Sequence, residues 1–185
     1  RELIARLIHA DSAEIALAGN TGAGINLAAW TFPLGPGDVV VVPDLEFPAN
    51  VYPWMAAARV RGFALHRVPA PDGRLDESAV LAALDLPGVR VLALSWVGFA
   101  SGVTVDLGEF GRACHARGIR FVVDAIQGLG ALTLDVERTP IDLLACGGQK
   151  WLLSPWGTGF TYLRRPLALE LEPQPVSWMA VQGSD

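Results

Sequence analysis

The chain has 185 residues, of which 51% are hydrophobic and 18% are charged. This balance predicts one large folded domain and excludes a disordered protein. The net charge of −5 argues against nucleic acid or an anionic membrane as a partner. Two cysteines cannot form the disulfide framework of a secreted domain, and no apolar run approaches the roughly 20 residues of a membrane span. We therefore expect a cytoplasmic protein.

Helical and strand patterns alternate along the chain. In order, the sequence predicts helix 1–10, strand 15–18, helix 22–30, strand 38–42, helix 51–60, strand 63–68, helix 77–84, strand 91–95, helix 107–117, strand 119–123, strand 141–145 and strand 157–163. Asp76 is the expected N-cap of helix 77–84, and Gly118 is the expected C-cap of helix 107–117. Continuous apolar strands separated by helices indicate an α/β fold, with a mainly parallel sheet sandwiched by helices.

Polar residues follow several of these predicted strands. They are Asn20 to Gly22 after the first strand, Asp44 to Phe47 after the second, Ser95 after the fourth and Asp124 after the fifth. In open parallel sheets, ligands bind outside the carboxyl ends of the strands. The sequence therefore predicts a functional site at this edge of the sheet.

A glycine-rich turn, Gly19–Gly24, separates the first strand from the next helix. Free N–H groups at a helix N-terminus bind phosphate, Thr21 adds a hydroxyl, and glycine allows close approach. A tight turn that simply needs small residues is the alternative. With Asp44 twenty residues after Gly24, the turn also imitates a dinucleotide-binding fingerprint of an oxidoreductase using NAD(P). That alternative is weakened by the spacing GxxGxG and by Cys146, which stands where a short-chain dehydrogenase has a tyrosine four residues before its lysine.

Lys150 is the only lysine among fourteen basic residues. Unlike arginine, lysine can lose its proton and attack a carbonyl carbon, so amine chemistry by a side chain would fall to this residue. A surface charge in an arginine-rich chain is the plainer alternative. Asp124 ends an apolar strand, where a carboxylate is costly unless it is paired. It either caps the following turn or holds a protonated ring nitrogen, and together with Lys150 it can hold a small heterocycle.

Four motifs resemble those of the class V aminotransferases. They are Asp124–Gly128 (DAIQG), Ile141–Asp142 (ID), Gln149–Leu152 (QKWL) and Gly157–Gly159 (GTG). These fold-type I enzymes depend on pyridoxal 5′-phosphate (PLP), and they include cysteine desulfurases, kynureninases and isopenicillin-N-epimerase-like proteins. The resemblance runs from about residue 20 to residue 159. It implies that Lys150 forms a Schiff base with PLP, that Asp124 pairs with the pyridinium nitrogen and that Gln127 hydrogen-bonds the ring O3′.

The resemblance also implies contacts around the rest of the cofactor. Thr21, with the backbone of Gly22 and Ala23, would bind the phosphate. Phe47 takes the position of the aromatic or histidine residue that stacks on the ring, although a phenylalanine of this kind is more often part of a core. Ser95 begins a segment that resembles the family's loop near the substrate and O3′.

Two positions before Lys150 depart from the family pattern Ser-x-His-Lys, because they hold Gly147 and Gln149. A phosphate contact from position 147 is lost, and Gln149 can hydrogen-bond the cofactor but cannot titrate. These departures motivate a third hypothesis, a degenerate family member that keeps the fold without catalysis. No metal site is predicted, since the three histidines lie far apart in the sequence. Trp54, Trp151 and Trp156 are assigned to core packing by default.

Relatives of this family are about twice as long and work as homodimers. The resemblance therefore implies that residues 1–165 are a PLP-binding large domain, incomplete at its N-terminus, and that the Pro-rich residues 166–185 are a linker toward a C-terminal small domain. An amino-acid or keto-acid substrate is implied. Transamination, elimination, desulfuration and epimerisation stay open, since the substrate-reading arginine lies in that small domain.

Overall fold

One seven-stranded sheet forms the centre of the molecule. The computed structural model describes residues 1–171. The strands are β1 (Ile15–Ala18), β2 (Val39–Pro43), β3 (Ala64–Val68), β4 (Val89–Ser95), β5 (Arg120–Asp124), β6 (Leu143–Gly147) and β7 (Gly159–Leu163). Their order across the sheet is β1-β7-β6-β5-β4-β2-β3. Strands β2 to β6 run parallel and β7 runs antiparallel to both of its neighbours, which confirms the predicted α/β fold with a mainly parallel sheet.

Helices cover both faces of this sheet. They are α1 (Glu2–Ile8), α2 (Thr21–Thr31), α3 (Tyr52–Arg61), α4 (Glu77–Ala83), α5 (Leu107–His115) and α6 (Arg165–Glu170). Successive strand residues point to opposite faces. Val41 and Leu92 therefore join the core beneath α1, α4 and α5, whereas Val40 and Val91 join the core beneath α2, α3 and α6. Because both faces of the sheet are covered by helices, the strands are continuous apolar runs and do not alternate between apolar and polar residues.

The observed boundaries shift from the predicted ones where a polar residue or a glycine intervenes. The predicted strand 141–145 is observed as Leu143–Gly147. Asp142, just before this strand, accepts the backbone N–H of Phe121 at 2.7 Å through its carboxylate. The last strand begins at Gly159 rather than at 157, since Gly157 adopts a φ of +84°. Asp76 is confirmed as an N-cap, with its carboxylate accepting the Ala79 N–H at 3.0 Å.

The chain after β7 continues into a short helix. Residues 165–170 form α6, with Pro166 in the first turn, where its missing N–H costs nothing. Leu167 is buried in the core beneath α2 and α3. The first residues of the predicted linker are therefore helical, and residues 172–185 lie outside the described residues. The domain boundary and the further domain stay predictions.

The sheet brings the predicted polar residues to one edge. Strand β1 runs antiparallel to β7, which runs antiparallel to β6, so β1 points the same way as the five parallel strands. The carboxyl ends of β1, β2, β4, β5 and β6 thus meet at the same edge. None of the helices found within residues 1–171 has both the length and the apolar character needed to cross a bilayer.

Candidate active site

A cavity of about 260 Å³ opens at the carboxyl edge of the sheet. Eight of the nine residues that the sequence predicts for the site line it, namely Thr21, Gly22, Phe47, Ser95, Asp124, Gln127, Gln149 and Lys150. The ninth, Ala23, does not line the cavity. The individual roles of these residues stay predictions, but residues from five separate segments of the chain share one cavity.

The turn between β1 and α2 forms one end of this cavity. Asn20 is the N-cap of α2, and its side-chain oxygen accepts the Ala23 N–H at 2.9 Å. The Ala23 N–H is engaged by this cap, and the predicted phosphate contact from the Ala23 backbone stays a prediction. Thr21 and Gly22 precede the residues whose N–H groups bond within the helix, so their N–H groups are left for a ligand.

The glycines of this turn serve different purposes. A Cβ at Gly24 would lie 2.5 Å from Thr161 Oγ1 and 2.6 Å from Ala145 Cβ, so glycine lets α2 approach β6 and β7 closely. Gly22, by contrast, lines the cavity. The small-residue alternative thus holds for Gly24, whereas Gly22 is placed where a ligand can approach the backbone.

Thr21 connects this turn to the end of β6. Its hydroxyl is buried and accepts the backbone N–H of Gly147 at 2.9 Å. A hydroxyl that accepts one hydrogen bond still has its own proton to donate. Thr21 therefore holds two segments together and keeps a donor for a ligand in the cavity.

Asp124 ends β5 at the floor of the cavity and is only 2% exposed. One carboxylate oxygen accepts the Ile126 N–H at 3.0 Å, which is the turn-capping role foreseen from the sequence. Burial raises the pKa of Asp124 to about 7, and the nearby carboxyl of Glu46 adds to the rise. A cationic partner stabilises the charged form of a carboxyl group whose pKa burial has raised. The cavity therefore favours a positive group beside Asp124.

Glu46 is a second acidic residue of this region that the sequence did not single out. Its carboxylate accepts hydrogen bonds from the Ser95 N–H at 2.7 Å, from the Ser95 hydroxyl and from Asn50 Nδ2 at 2.8 Å. Burial raises the pKa of Glu46 while these bonds oppose the rise. A glutamate four residues before an asparagine in an otherwise apolar turn was the available signal. Because Ser95 donates its proton to Glu46, its oxygen is left as a hydrogen-bond acceptor.

Aromatic side chains form the wall opposite Asp124. Phe47 and Phe99 pack with ring centroids 4.9 Å apart at 59°, and Lys150 Nζ lies 5.9 Å from the Phe99 centroid. Phe47 is 42% exposed, so its alternative reading as a core residue does not hold. Trp156 is 84% exposed and also lines the cavity, which corrects its default assignment to the core, as the exposure of Trp151 does for that residue. Phe99 escaped sequence reasoning because a lone phenylalanine in a loop gives no periodic signal.

Lys150 lies in the turn after β6, exposed to solvent at the mouth of the cavity. The carboxamide oxygen of Gln149 beside it is buried and has no hydrogen-bond partner within residues 1–171. Buried polar groups nearly always find partners, so an unpaired one at a cavity marks a place where a ligand group fits.

Several other candidates from the sequence lie elsewhere. Asp44, the acid of the dinucleotide alternative, pairs with Arg67 of β3 at 2.8 Å and does not line the cavity. Cys114 and Cys146 are buried, and burial raises the pKa of each thiol to about 12, so neither is a ready nucleophile. Within residues 1–171 no cluster of three metal-ligating side chains is found.

The structure combines an α/β sheet with one cavity that is lined by a lysine, a buried aspartate and the N-terminus of a helix. These features together define a class of proteins. The model of the family described as aminotransferase class-V matches residues 1–179, and the chain belongs to that family. The resemblance that the sequence motifs indicated is confirmed. The alternative of an oxidoreductase using NAD(P) is therefore set aside.

Individual relatives agree with this assignment. The chain is 37% identical over 182 residues to an isopenicillin N epimerase of Streptomyces clavuligerus, covering 96% of this chain and 46% of the relative. It is 36% identical over 174 residues to a probable cysteine desulfurase of Methanothermobacter thermautotrophicus, covering 94% and 43%. Among solved structures, a C-DES mutant with glycine covalently linked to its PLP cofactor superposes with a TM-score of 0.89 at 27% identity, covering 96% of this chain and 48% of that one. The chain thus spans about half the length of the relatives it matches.

Proposed function

We propose that this chain forms the cofactor-binding domain of a PLP-dependent enzyme that acts on an amino acid or a keto acid through Lys150. The observation that carries the proposal is the placement of Lys150, Asp124 and the N-terminus of α2 around one cavity. A primary amine, a buried acid and a phosphate-binding helix end are the three groups that an aldehyde-bearing pyridine phosphate requires.

The residues present fit such a cofactor at both of its ends. Thr21 and the N–H of Gly22 offer uncharged donors for a phosphate. The carboxamide of Gln149 has an NH₂ donor beside its unpaired oxygen, which is an acceptor. Asp124, whose pKa burial raises to about 7, gains from a protonated ring nitrogen, because an opposite charge favours the carboxylate. The exposed ring of Phe47 supplies an aromatic face.

PLP supplies an electron sink for negative charge that develops on the substrate Cα. Lys150 would hold the cofactor through its aldehyde group and, once the substrate amine has taken its place, would move a proton at the substrate Cα. Asp124 holds the proton on the ring nitrogen by a charge-assisted hydrogen bond, as a carboxylate kept away from water can. Gln127 donates to the ring hydroxyl, Phe47 fixes the plane of the ring and Ser95 presents an acceptor beside it.

The proposal covers a reaction at an amino acid without choosing one reaction. The two relatives named above are an epimerase and a probable desulfurase, and they match this chain almost equally well. A transaminase, a lyase of the desulfurase kind and an epimerase are therefore all within the proposal. A homodimer in the cytoplasm is part of it, as is a further domain that binds the substrate carboxylate, since the relatives are about twice as long. The degenerate, non-catalytic member is the competing proposal.

The test uses the fact that the chain has one lysine. We expect purified protein mixed with PLP to develop an absorbance band between the near ultraviolet and the visible, and borohydride to remove that band. Peptide mass spectrometry after reduction should then place the cofactor on Lys150. Lys150→Ala should lose the band while retaining its fold by circular dichroism. A folded wild-type chain without this band, or with the cofactor only on the N-terminal amine, would refute the proposal.

A further inference from the structure

We propose that the site takes an amino acid or keto acid with an apolar side chain, and that Phe99 is the residue that selects it. The inference rests on the proposed function, because it names the substrate class of the cavity described there. It assigns Phe99 as a specificity-determining residue and gives Trp156 a supporting part in the same wall.

Phe99 stands beside the amine that acts on the substrate. Lys150 Nζ lies 5.9 Å from the centroid of the Phe99 ring. Reacting atoms come within about 3–3.5 Å of each other before a bond changes, so the substrate Cα must approach Nζ that closely. A side chain carried by that carbon therefore has the Phe99 ring within the length of a few bonds. The ring also packs against Phe47, with centroids 4.9 Å apart, so it adjoins the aromatic face proposed for the cofactor.

The backbone around Phe99 holds the ring in place. Val97 and Thr104 form an antiparallel bridge across the base of the loop. Inside this bridge the Gly98 N–H donates to the Val103 carbonyl at 2.9 Å, and Phe99 lies in the turn that follows. A ring held in this way is in position before a ligand arrives, so little conformational entropy is lost when a substrate covers it.

The part of the cavity that the cofactor leaves free is mainly apolar. Besides the residues assigned to the cofactor, the lining consists of Asn20, Ala49, Val97, Phe99, Ile126 and Trp156. The side-chain oxygen of Asn20 already accepts the Ala23 N–H as the cap of α2. A substrate side chain in this part of the cavity therefore meets mainly apolar side chains.

The charges in the cavity indicate the same substrate class. Among the described residues that line it, only Lys150 and Asp124 carry a charge, and both have roles in the proposed chemistry. A charged substrate side chain would thus lose water without gaining a partner from residues 1–171. Phe99 is 54% exposed and Trp156 is 84% exposed, so both rings have apolar surface that an apolar substrate would remove from water.

A contact of Phe99 with the Lys150 ammonium group is the competing explanation for the position of the ring. A cation within about 6 Å of an aromatic centroid is attracted to the ring face, and 5.9 Å is at the limit of that range. Such a contact would act on Lys150 whichever amino acid is bound. Selection by apolar contact depends on the substrate side chain, so the two roles are separable by experiment.

Three amino acids of the same shape test the selection. Leucine, asparagine and aspartate have the same number of side-chain heavy atoms and the same branch at Cγ, but they are apolar, polar and charged. Their dissociation constants are measured on the PLP-loaded protein from the change of the cofactor absorbance band, which reports binding rather than turnover. We expect leucine to bind at least about tenfold more tightly than asparagine, and aspartate to bind most weakly.

Variants of the wall then assign the preference to its residues. Phe99→Ala should reduce the preference for leucine over asparagine about fivefold and change asparagine binding by less than about twofold, because only an apolar contact is removed. Phe99→Leu keeps an apolar side chain, so its preference should stay within about twofold of the wild type. Trp156→Ala repeats the test at the second ring, with a smaller loss of preference, even if Phe99→Ala does not fold. Tyr52→Ala is the matched control and should alter none of the dissociation constants, since Tyr52 is also an exposed aromatic residue but does not line the cavity.

The outcomes separate this inference from the proposed function. Wild-type protein that binds PLP at Lys150 but takes leucine and asparagine equally well would overturn the apolar substrate class alone. Equal weakening of all three amino acids by Phe99→Ala, with the same loss in Phe99→Leu, would assign the ring to Lys150 and overturn its role in selection. Wild-type protein that folds and binds no PLP would overturn both proposals.

Discussion

Two buried aspartates at opposite edges of the same sheet show how one residue type can hold a fold or prepare a site. Asp124 and Asp142 are each 2% exposed. Asp142, just before β6, accepts hydrogen bonds from the Phe121 N–H at 2.7 Å and from Arg164 at 2.6 Å, and it lies 3.1 Å from His115 Nε2. Asp124, at the end of β5, accepts one hydrogen bond, from the Ile126 N–H.

The difference lies in what compensates the burial of the charge. At Asp142 a cationic side chain, a histidine and a backbone donor replace the lost water, so the carboxylate ties β5, β7 and α5 together. At Asp124 the protein supplies much less, and burial raises its pKa to about 7. A carboxyl left incompletely satisfied at the edge of a cavity is ready for a ligand, whereas a fully satisfied one is part of the scaffold.

The largest expected effect is on Asp142. Asp142→Ala leaves Arg164 and the buried Phe121 N–H without their acceptor, so we expect a loss of about 3–5 kcal/mol in the free energy of unfolding. Urea denaturation followed by circular dichroism measures this loss. Asp85→Ala, which breaks the exposed Asp85–Arg117 pair, is the control and should change little. A loss at Asp142 no greater than that of the control would contradict a structural role.

The second effect concerns the pH dependence created by Asp124. Its folded pKa is about 7 against 3.8 in an ordinary aspartate, so the folded state binds more protons between these values. Stability of the cofactor-free protein should therefore fall as pH rises from about 4 to about 7, by at most about 4 kcal/mol from this group. Glu46, whose pKa is also raised by burial, acts in the same direction.

Asp124→Asn tests that dependence. The variant should be as stable as the wild type near pH 4 and more stable near pH 8, because asparagine needs no proton to be buried neutral. Urea midpoints at both pH values measure the difference. An unchanged slope in the variant would show that Asp124 is not the group responsible.

The smallest effect is expected at Glu46. Glu46→Gln keeps the shape of the side chain but places an NH₂ group against donors from Ser95 or Asn50, so we expect a loss of about 1–2 kcal/mol in unfolding free energy. Thermal denaturation at a fixed pH measures it. The exposed Glu137→Gln serves as the control. If both variants melt alike, Glu46 does not hold the Ser95 and Phe47 segments in place.

Much of the fold could be predicted because the relevant signals are local. Apolar runs such as β2 and β5 are long enough to indicate buried strands. Lys150 could be singled out by counting the lysines of the chain. The shift of β6 by two residues was not predictable, since the partners of Asp142 at 121 and 164 come from elsewhere in the chain. The α6 helix was not predicted, because the Pro-rich composition of this segment suggested a linker. The proline instead lies in the first turn of the helix.

The features of the candidate site also divide into those that the sequence could predict and those that it could not. Family motifs pointed to Thr21, Asp124 and Lys150, and these residues line one cavity. The Glu46–Ser95 contact joins residues 49 positions apart, so no pattern in either segment announces it. Ala23 was assigned a phosphate contact from the family resemblance, and only the structure shows that its N–H is engaged by the side-chain cap from Asn20.

The sequence by itself determined the α/β class, the family and the identity of the one lysine that can do amine chemistry, because periodicity and motifs are properties of neighbouring residues. Only the tertiary structure shows which buried carboxyl group has all of its hydrogen-bond partners and which still lacks partners. It also shows that the Gln149 side chain occupies the space left by Gly147. Burial, hydrogen bonding and steric exclusion depend on residues that the fold brings together from distant parts of the chain. The raised pKa of Asp124 and the unpaired carboxamide of Gln149 are therefore visible in three dimensions alone.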